Sequence, residues 1–600
     1  MSKNKLFFVP LALAALSLSG CISASPSTGL SINSSSEVLS SSTGTTTNTT
    51  GVSTPTNATT YSTGTYIPSS TSQDWGNTEV TSDFVILNES NEASGFTVSN
   101  SIYTITTAGT YSLTGKLEGS IIVEVADSET VELDLNGVEI SSSDNAPIYA
   151  KSADKLKIKS KKKTTNVITD NRPTSLADTS GQGSGAITAK SDINLIGSGT
   201  LIVTGNCKNG VHTSKDLKIK NVQLKAYGYQ HAIRGGNGIE IVNESTKVYA
   251  TALTGDGLKS NDAGTSSSGK QKGTITISGG ETVIHSYNDG IDAAYNVVIC
   301  SGTDDDSGVT TIPTINIYTE KYATLTKAGW NDSGNTNKSS TTAKGIKASN
   351  EIYVSDGLIY CQCYDDGLHA NSEALVDSDD NPTGVNGAGN VNISGGSITI
   401  ACTDDGIHAD NTLSITGGII NVTTSYEGLE GHDIQISGGT IKAYATNDGI
   451  NAGGENNPTI VISGGYVEIE VNPNGDLDGI DSNGTFTMTG GIVISKGPNS
   501  NNASALDHEG TATINGGTLI VLGAIEGSTS YWGGGGPGGG GPGGGGSGNV
   551  TIGSNMKSYS LSLHAKGSHT INVDGTSYNF TNTYAYSRTI CYSSVSVSGS

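Results

Sequence analysis

Residues 403–415 read TDDGIHADNTLSI, and residues 364–376 read YDDGLHANSEALV. A third version, TNDGINA, occupies 446–452. A catalytic motif normally occurs once in a chain, so an acidic glycine turn in several copies points first to architecture. Aligning the chain on this glycine, or on a small residue replacing it, gives the anchors Pro147, Ala186, Gly210, Ala232, Gly257, Gly290, Gly345, Gly367, Gly406, Gly428, Gly449, Gly479 and Ala505. The tightest spacings are close to 22 residues, and longer ones hold polar insertions such as 300–342 and 377–390. Self-similarity at a fixed period is the signature of a repeat fold.

Inside each unit the apolar period is two. Counted from the glycine, positions −8, −6 and −4 read Ile359, Cys361, Cys363; Ile398, Ile400, Cys402; Ile420, Val422, Thr424; and Ile441, Ala443, Ala445. Position +1 is almost always Ile, Leu or Val, and a second alternating run ends in ISGG, ITGG, MTGG or INGG. Alternation over short runs between glycine turns means strands. Short strands repeating without a helical stretch predict an all-β solenoid, a right-handed parallel β-helix. Thirteen anchors at ~4.8 Å per coil predict a rod of roughly 60 Å. Cys363 and Cys402 fall on the same inward column, which fits either a buried thiol ladder or a disulfide.

Composition agrees with a thin core. Hydrophobic residues make up 34% of 600, with 82 glycines. The formal net charge is −24, which argues against nucleic acid, whose phosphates need a basic surface.

The ends of the chain carry their own signals. Lys3 and Lys5 precede the apolar run LFFVPLALAALSL, and Leu18-Ser19-Gly20-Cys21 follows it. Small residues before a cysteine resemble a bacterial lipobox, so 1–20 is expected to be a lipoprotein signal peptide and Cys21 the lipidated residue. Residues 21–75 are rich in Ser, Thr, Asn and Gly and are expected to be a disordered tether. The repeat domain is expected over 76–548, including a Gly/Pro-rich loop at 533–548. Residues 549–600 are expected to continue or cap the strands. The location expected is the cell envelope or surface, with no membrane contact beyond the lipid, as a monomer.

The solenoid gives the acids an address. Column −1 reads Asp256, Asp289, Lys344, Asp366, Asp405, Glu427, Asp448 and Asp478. Column +2 reads Lys259, Asp292, Lys347, His369, His408, Glu430, Asn451, Asp481 and Asp507, while Asp365 and Asp404 add a file at −2. Like charges ~4.8 Å apart repel by about 0.9 kcal/mol in water and about 3.5 at an effective dielectric of ~20. Summed over five consecutive acids, this approaches a domain's whole stability of roughly 5–15 kcal/mol. Stacked carboxylates with backbone carbonyls suit Ca²⁺, so several calcium sites are expected along these columns. Lys344 and Lys347 interrupt the columns and read either as charge relief or as a clamp or base for sugar carboxylates. His369 and His408 are poor calcium ligands and read as neutral hydrogen-bonders, sugar contacts or part of a transition-metal site, and Tyr364, Tyr426, Tyr287 and Trp532 are candidate sugar contacts.

Several stretches resemble one family. GTYSLTG at 109–115, VELDLNGVEI at 131–140, AKGIKAS at 343–349, DDGIHAD at 404–410, YEGLEG at 426–431, DGIDSNG at 478–484 and YWGGGGPGGGGPGGGG at 531–546 are similar to motifs of the bacterial carbohydrate-binding β-helix proteins. The resemblance covers roughly 80–590. It implies a right-handed β-helix of pectate-lyase-like fold with bound calcium, and binding of polygalacturonate or cellulose. It also implies calcium turns at Asp365, Asp366, Asp404, Asp405, Glu427, Glu430, Asp448, Asp478 and Asp481.

Three functions compete on this reading. The favoured one is calcium-dependent polysaccharide binding without catalysis. The second is a polysaccharide lyase, in which calcium acidifies a proton and a lysine removes it. NDGID at 288–292 resembles the calcium turn of family 9 pectate lyases, with Asp256 one coil earlier and Lys344 or Lys347 as base one coil later. A structural adhesin is the third.

Overall fold

The computed structural model describes residues 80–177, 181–304, 306–319, 343–475, 477–499, 503–526 and 550–600. Cys21, the tether, Trp532 and the Gly/Pro-rich loop lie outside them. By contact density the chain divides at Thr47/Asn48, and everything below concerns the second unit.

The described residues are all β apart from one short 3-10 turn, Thr174–Leu176. One sheet gathers 45 strands, nearly all of its pairings parallel. The chain builds it by visiting three ladders in rotation. Gly185–Ala189, Asp192–Gly197 and Thr200–Gly205 are followed by Asn209–Thr213, Asp216–Lys220 and Gln223–Gly228, and each pairs in parallel with its predecessor three strands back. The alternation of the sequence explains the choice. Ile193 and Leu195, Leu201 and Val203, Leu217 and Ile219 all point inward and are fully or almost fully buried, while polar neighbours alternate outward. Parallel strands with one continuous buried face make one apolar core along the ladders.

Two kinds of glycine make the turns possible. Gly406 faces its neighbour so closely that a Cβ there would lie 2.5 Å from the Gly428 carbonyl oxygen and 2.7 Å from Val422 Cγ1. The second glycine of each ISGG-type turn serves differently, because it adopts positive φ, +85° at Gly439. Gly439→Ala is expected to cost about 1–2 kcal/mol, because the left-handed backbone penalises a Cβ. That Cβ would also meet the Gly417 carbonyl oxygen at 2.9 Å. A denaturation midpoint unchanged by this substitution would contradict the turn geometry.

Three details depart from the repeat alignment. The first ladder starts before Pro147, since Ile121 pairs with Ile148 and Tyr103 with Ile121. No DG turn marks those strands, so the anchor search passes over them. A bulge pairs Ile400 with Val422 but Ala401 with Thr424. It leaves Thr424 half-buried and outside the inward column. Cys363 and Cys402 are buried free thiols rather than a disulfide.

At the far end, Val550–Ile552 continues the second ladder by pairing with Ala512–Ile514. Thr589–Ser593 runs antiparallel along Thr518–Leu522 and closes the third. A buried ion pair helps attach this end: Lys496 Nζ lies 2.7 Å from Glu468 Oε1 and donates to the Thr581 carbonyl at 2.9 Å.

Candidate functional site

The site is a set of columns running along the first ladder. Position +1 stacks in strict register through Ile291, Ile346, Leu368, Ile407, Leu429, Ile450 and Ile480. All seven are completely buried. Position +2 then faces outward, so Asp292, Lys347, His369, His408, Glu430, Asn451 and Asp481 follow one another in successive coils. Position −1 is in register as well. The N–H groups of Gly345, Gly367, Gly406, Gly428 and Gly449 donate to the carbonyls of Asp366, Asp405, Glu427, Asp448 and Asp478. The acids of neighbouring coils are therefore stacked, as the repeat spacing implies.

The −1 side chains have a structural duty that charge arithmetic does not reveal. Asp256 Oδ1 accepts the Asp289 N–H at 3.2 Å, and Asp289 Oδ1 accepts the Lys344 N–H at 2.7 Å. Asp366 Oδ1 accepts from Asp405 N at 3.0 Å, and Asp448 Oδ1 from Asp478 N at 2.6 Å. Earlier coils do the same with other side chains: Asn209 Oδ1 accepts the His231 N–H at 3.4 Å, and His231 Nδ1 accepts that of Asp256 at 3.1 Å. The column thus selects a short side chain carrying an acceptor. The clue in the sequence was Asn209 and His231 in the column that later holds acids.

Charge compensation changes along the column. At Asp256, Asp289 and Asp292, whose ligand-type oxygens lie within 4.8 Å of one another, Lys259 contacts Asp292 and lies 3.7 Å from Asp256. At Asp365, Asp366 and Asp404, a second such cluster, Lys344 Nζ lies 2.5 Å from Asp366 and 3.2 Å from Asp365. Burial works to lower the pKa of Lys344, but Asp366 and Asp365 outweigh it and hold the amine well above its usual range. In the metal-free fold this geometry lets Lys344 offset the charge of Asp365 and Asp366. Lys347 stands between Asp292 and His369 on the outer face.

One coil further the compensating groups are imidazoles. His369 Nδ1 lies 2.6 Å from Asp366 Oδ2. His408 Nδ1 lies 3.1 Å from Asp405 Oδ2 and 2.5 Å from Glu430 Oε2. The rings stack 4.3 Å apart at 6°. Asp410 Oδ1 sits at both outer nitrogens, 3.5 Å from His369 Nε2 and 3.3 Å from His408 Nε2. Then come amides: Asn447 and Asn451 donate to the Glu427 carboxylate at 3.3 and 3.0 Å.

At the last acidic coils the charged neighbours are acids. Burial first, then Asp507, Asp448 and Asp481, push Asp478 up to about 9, against an opposing backbone donor at Ser504. Burial, Asp448, Asp507 and Glu509 push Asp481 up to about 7. Asp481 Oδ1 and Asn451 Oδ1 are buried oxygens without a hydrogen-bond partner. An all-oxygen donor set with orphaned oxygens fits a hard dication.

Of the aromatic candidates, Tyr364 and Tyr426 are half-buried beside the acids, and Tyr287 is 43% exposed. A separate cavity of about 470 Å³ lies between two surface insertions, lined by Asp262, Lys272, Tyr295, Leu375, Asp377 and Val385. Its Lys272 and Asp262 pair with each other at 2.8 Å.

Comparison with known proteins gives three findings. A family model described as carbohydrate-binding domain-containing protein matches residues 99–380 and 371–431. A carbohydrate-binding domain-containing protein of Acetivibrio thermocellus is 36% identical over 163 residues, which is 26% of this chain and 57% of that one. The chain thus spans little more than half of that relative's length. The solved structure of a polysaccharide lyase-like protein from C. thermocellum, a gadolinium derivative, aligns at 26% identity over 38% of this chain and 86% of that one, with a TM-score of 0.32.

Proposed function

Because the chain belongs to the carbohydrate-binding domain-containing family, we propose that it binds an extended acidic polysaccharide through calcium ions held on its carboxylate columns, without cleaving it. The chain would wind as a right-handed parallel β-helix, the hand that parallel crossover connections strongly favour. Polygalacturonate is the polymer that best suits the site, with cellulose or another β-glucan the neutral alternative. A lipid on Cys21 would tie the protein to the cell envelope.

The observation that carries this reading is the crowding at Asp478 and Asp481. Both are half-buried, and among the described residues neither forms an ion pair with a lysine or arginine. The charges acting on Asp481 are the three acids Asp448, Asp507 and Glu509. Calcium takes six to eight oxygens and tolerates irregular geometry. On a half-exposed column it would keep coordination positions for the carboxylates of a uronate chain. Repetition along the ladder then gives many weak contacts to one long polymer, which raises the net affinity steeply.

Purified full chain mixed with polygalacturonate tests this. With calcium the polymer should sediment with immobilised protein, EDTA should release it, and Asp478→Asn should weaken retention. A rising absorbance from unsaturated uronide would instead establish a lyase. Retention indifferent to EDTA would remove calcium from the reading.

A further inference from the structure

We propose that Asp405, His408 and Glu430, two of which the resemblance above places in calcium turns, instead form a binding site for a first-row transition dication of the zinc class, oriented by Asp410 and separate from the acidic coils at Asp478 and Asp481. The proposal does not depend on the calcium reading above. His408 and Glu430 occupy the +2 column in adjacent coils. Asp405 lies three residues before His408, and one ligand atom from each of the three falls within a 4.8 Å group.

Three features single out this cluster. Asp410 Oδ1 at 3.3 Å from His408 Nε2 favours the N–H on that nitrogen. Nδ1 faces Asp405 Oδ2 at 3.1 Å and Glu430 Oε2 at 2.5 Å, so the proton held there in the metal-free chain occupies the place a cation would take. Three converging lone-pair donors need a proton or a cation between them. A carboxylate on the far nitrogen of a histidine is also the arrangement that orients metal-ligating imidazoles. Second, Asp405 is only 2% exposed, yet its Oδ1 has no hydrogen-bond partner. Third, the neighbouring clusters already hold ammonium groups from Lys259 and Lys344, whereas the ion pair of Asp405 among the described residues is with the imidazole of His408.

The donor chemistry selects the ion. One imidazole nitrogen with two carboxylates suits zinc, cobalt or nickel better than calcium, which prefers oxygen alone. His369 stacks on His408 and groups with Asp366, whose Oδ2 lies 2.6 Å from its Nδ1 and already carries the Lys344 ammonium, so it forms the wall of this site. The side chains of His408 and Glu430 remain 21% and 25% exposed. A bound ion would therefore keep a position open toward solvent for water or a sugar oxygen.

The test uses untagged full chain, stripped with a chelator and titrated with Co²⁺ in excess calcium. The expected result is visible d–d absorption that saturates and is bleached by Zn²⁺. His408→Asn should abolish it, and Asp410→Asn should weaken Co²⁺ binding roughly 10–100-fold. Asp478→Asn, which alters the calcium position, should keep the colour, so this proposal and the calcium reading fail separately. Circular dichroism confirms folding of each variant, and Glu430→Gln provides the same readout should His408→Asn not fold. No colour with the native chain, colour unchanged in both His408→Asn and Glu430→Gln, or colour suppressed by calcium would each overturn the assignment. In the first of these cases His408 is simply a protonated counter-ion.

Discussion

Lys344→Met is expected to destabilise the calcium-free protein by about 3–5 kcal/mol, the usual cost of removing one partner from a buried charge pair. The side chains of Lys344, Asp365 and Asp366 are only 13%, 7% and 3% exposed. Methionine retains much of the aliphatic stem, so packing changes little while the charge disappears. Asp365, Asp366 and Asp404 would be left together with their oxygens within 4.8 Å. Burial, and next the charge of Asp366, already hold Asp365 above its usual range with the lysine present. Calcium is expected to restore most of the loss, because a dication binds the vacated oxygens only in the folded state and stabilises it by mass action. Urea denaturation with EDTA and with calcium reads both effects. A loss below ~1 kcal/mol, or a calcium response no larger than that of the native chain, would show that Lys344 is not standing where a cation would otherwise be needed.

The sequence made the stacking legible and left the compensation hidden, for a physical reason. Register depends on the local period, so Ile407 at +1 and the ISGG turn were enough to align Asp366 with Asp405 and Asp448. Compensation depends on where long side chains end. Nothing in the spacing says that Lys259 reaches one coil onward to Asp292, or that Asp410 lies at the outer nitrogens of two stacked imidazoles. Charge counting alone also left out a second use of the −1 column. Besides their charge, Asp256, Asp289, Asp366 and Asp448 each place an oxygen on a backbone N–H of the next coil. That use is shared by uncharged Asn209. At Asp478 and Asp481 the charged neighbours are acids. The first strands of the ladder were missed because Ile121 follows no acidic glycine turn, although its burial is the same as that of Ile148.

Those two residues make the calcium-free protein respond to pH with an unusual sign. Asp478 and Asp481 are pushed up to about 9 and about 7 in the fold, against roughly 3.9 for an unfolded aspartate. Between those values the folded state binds more protons than the unfolded chain, so stability falls as pH rises. The contribution is complete below about pH 4 and is lost as pH climbs through about 7 and then about 9. Asp366 and Glu468 have the opposite sign. Burial opposes their ionisation, but Lys344 for Asp366 and Lys496 for Glu468 prevail and hold both below the usual carboxylate range. Their contribution is present above the unfolded pKa and disappears only as pH falls below about 4, outside the window in question. In EDTA, the unfolding free energy should therefore be higher near about pH 5 than near about pH 9, by an amount on the order of a few kcal/mol. Calcium should flatten or reverse the slope, because it binds the deprotonated carboxylates and gains affinity as their protons leave. Asp478→Asn with Asp481→Asn should reduce the EDTA slope without calcium, the remainder coming from Asp405, raised chiefly by burial, and from His408, where burial opposes but the carboxylate partners prevail and raise it. A native slope undiminished in this double variant would move its origin wholly to those groups, and the case for a dication at the last acidic coils would lose its physical basis.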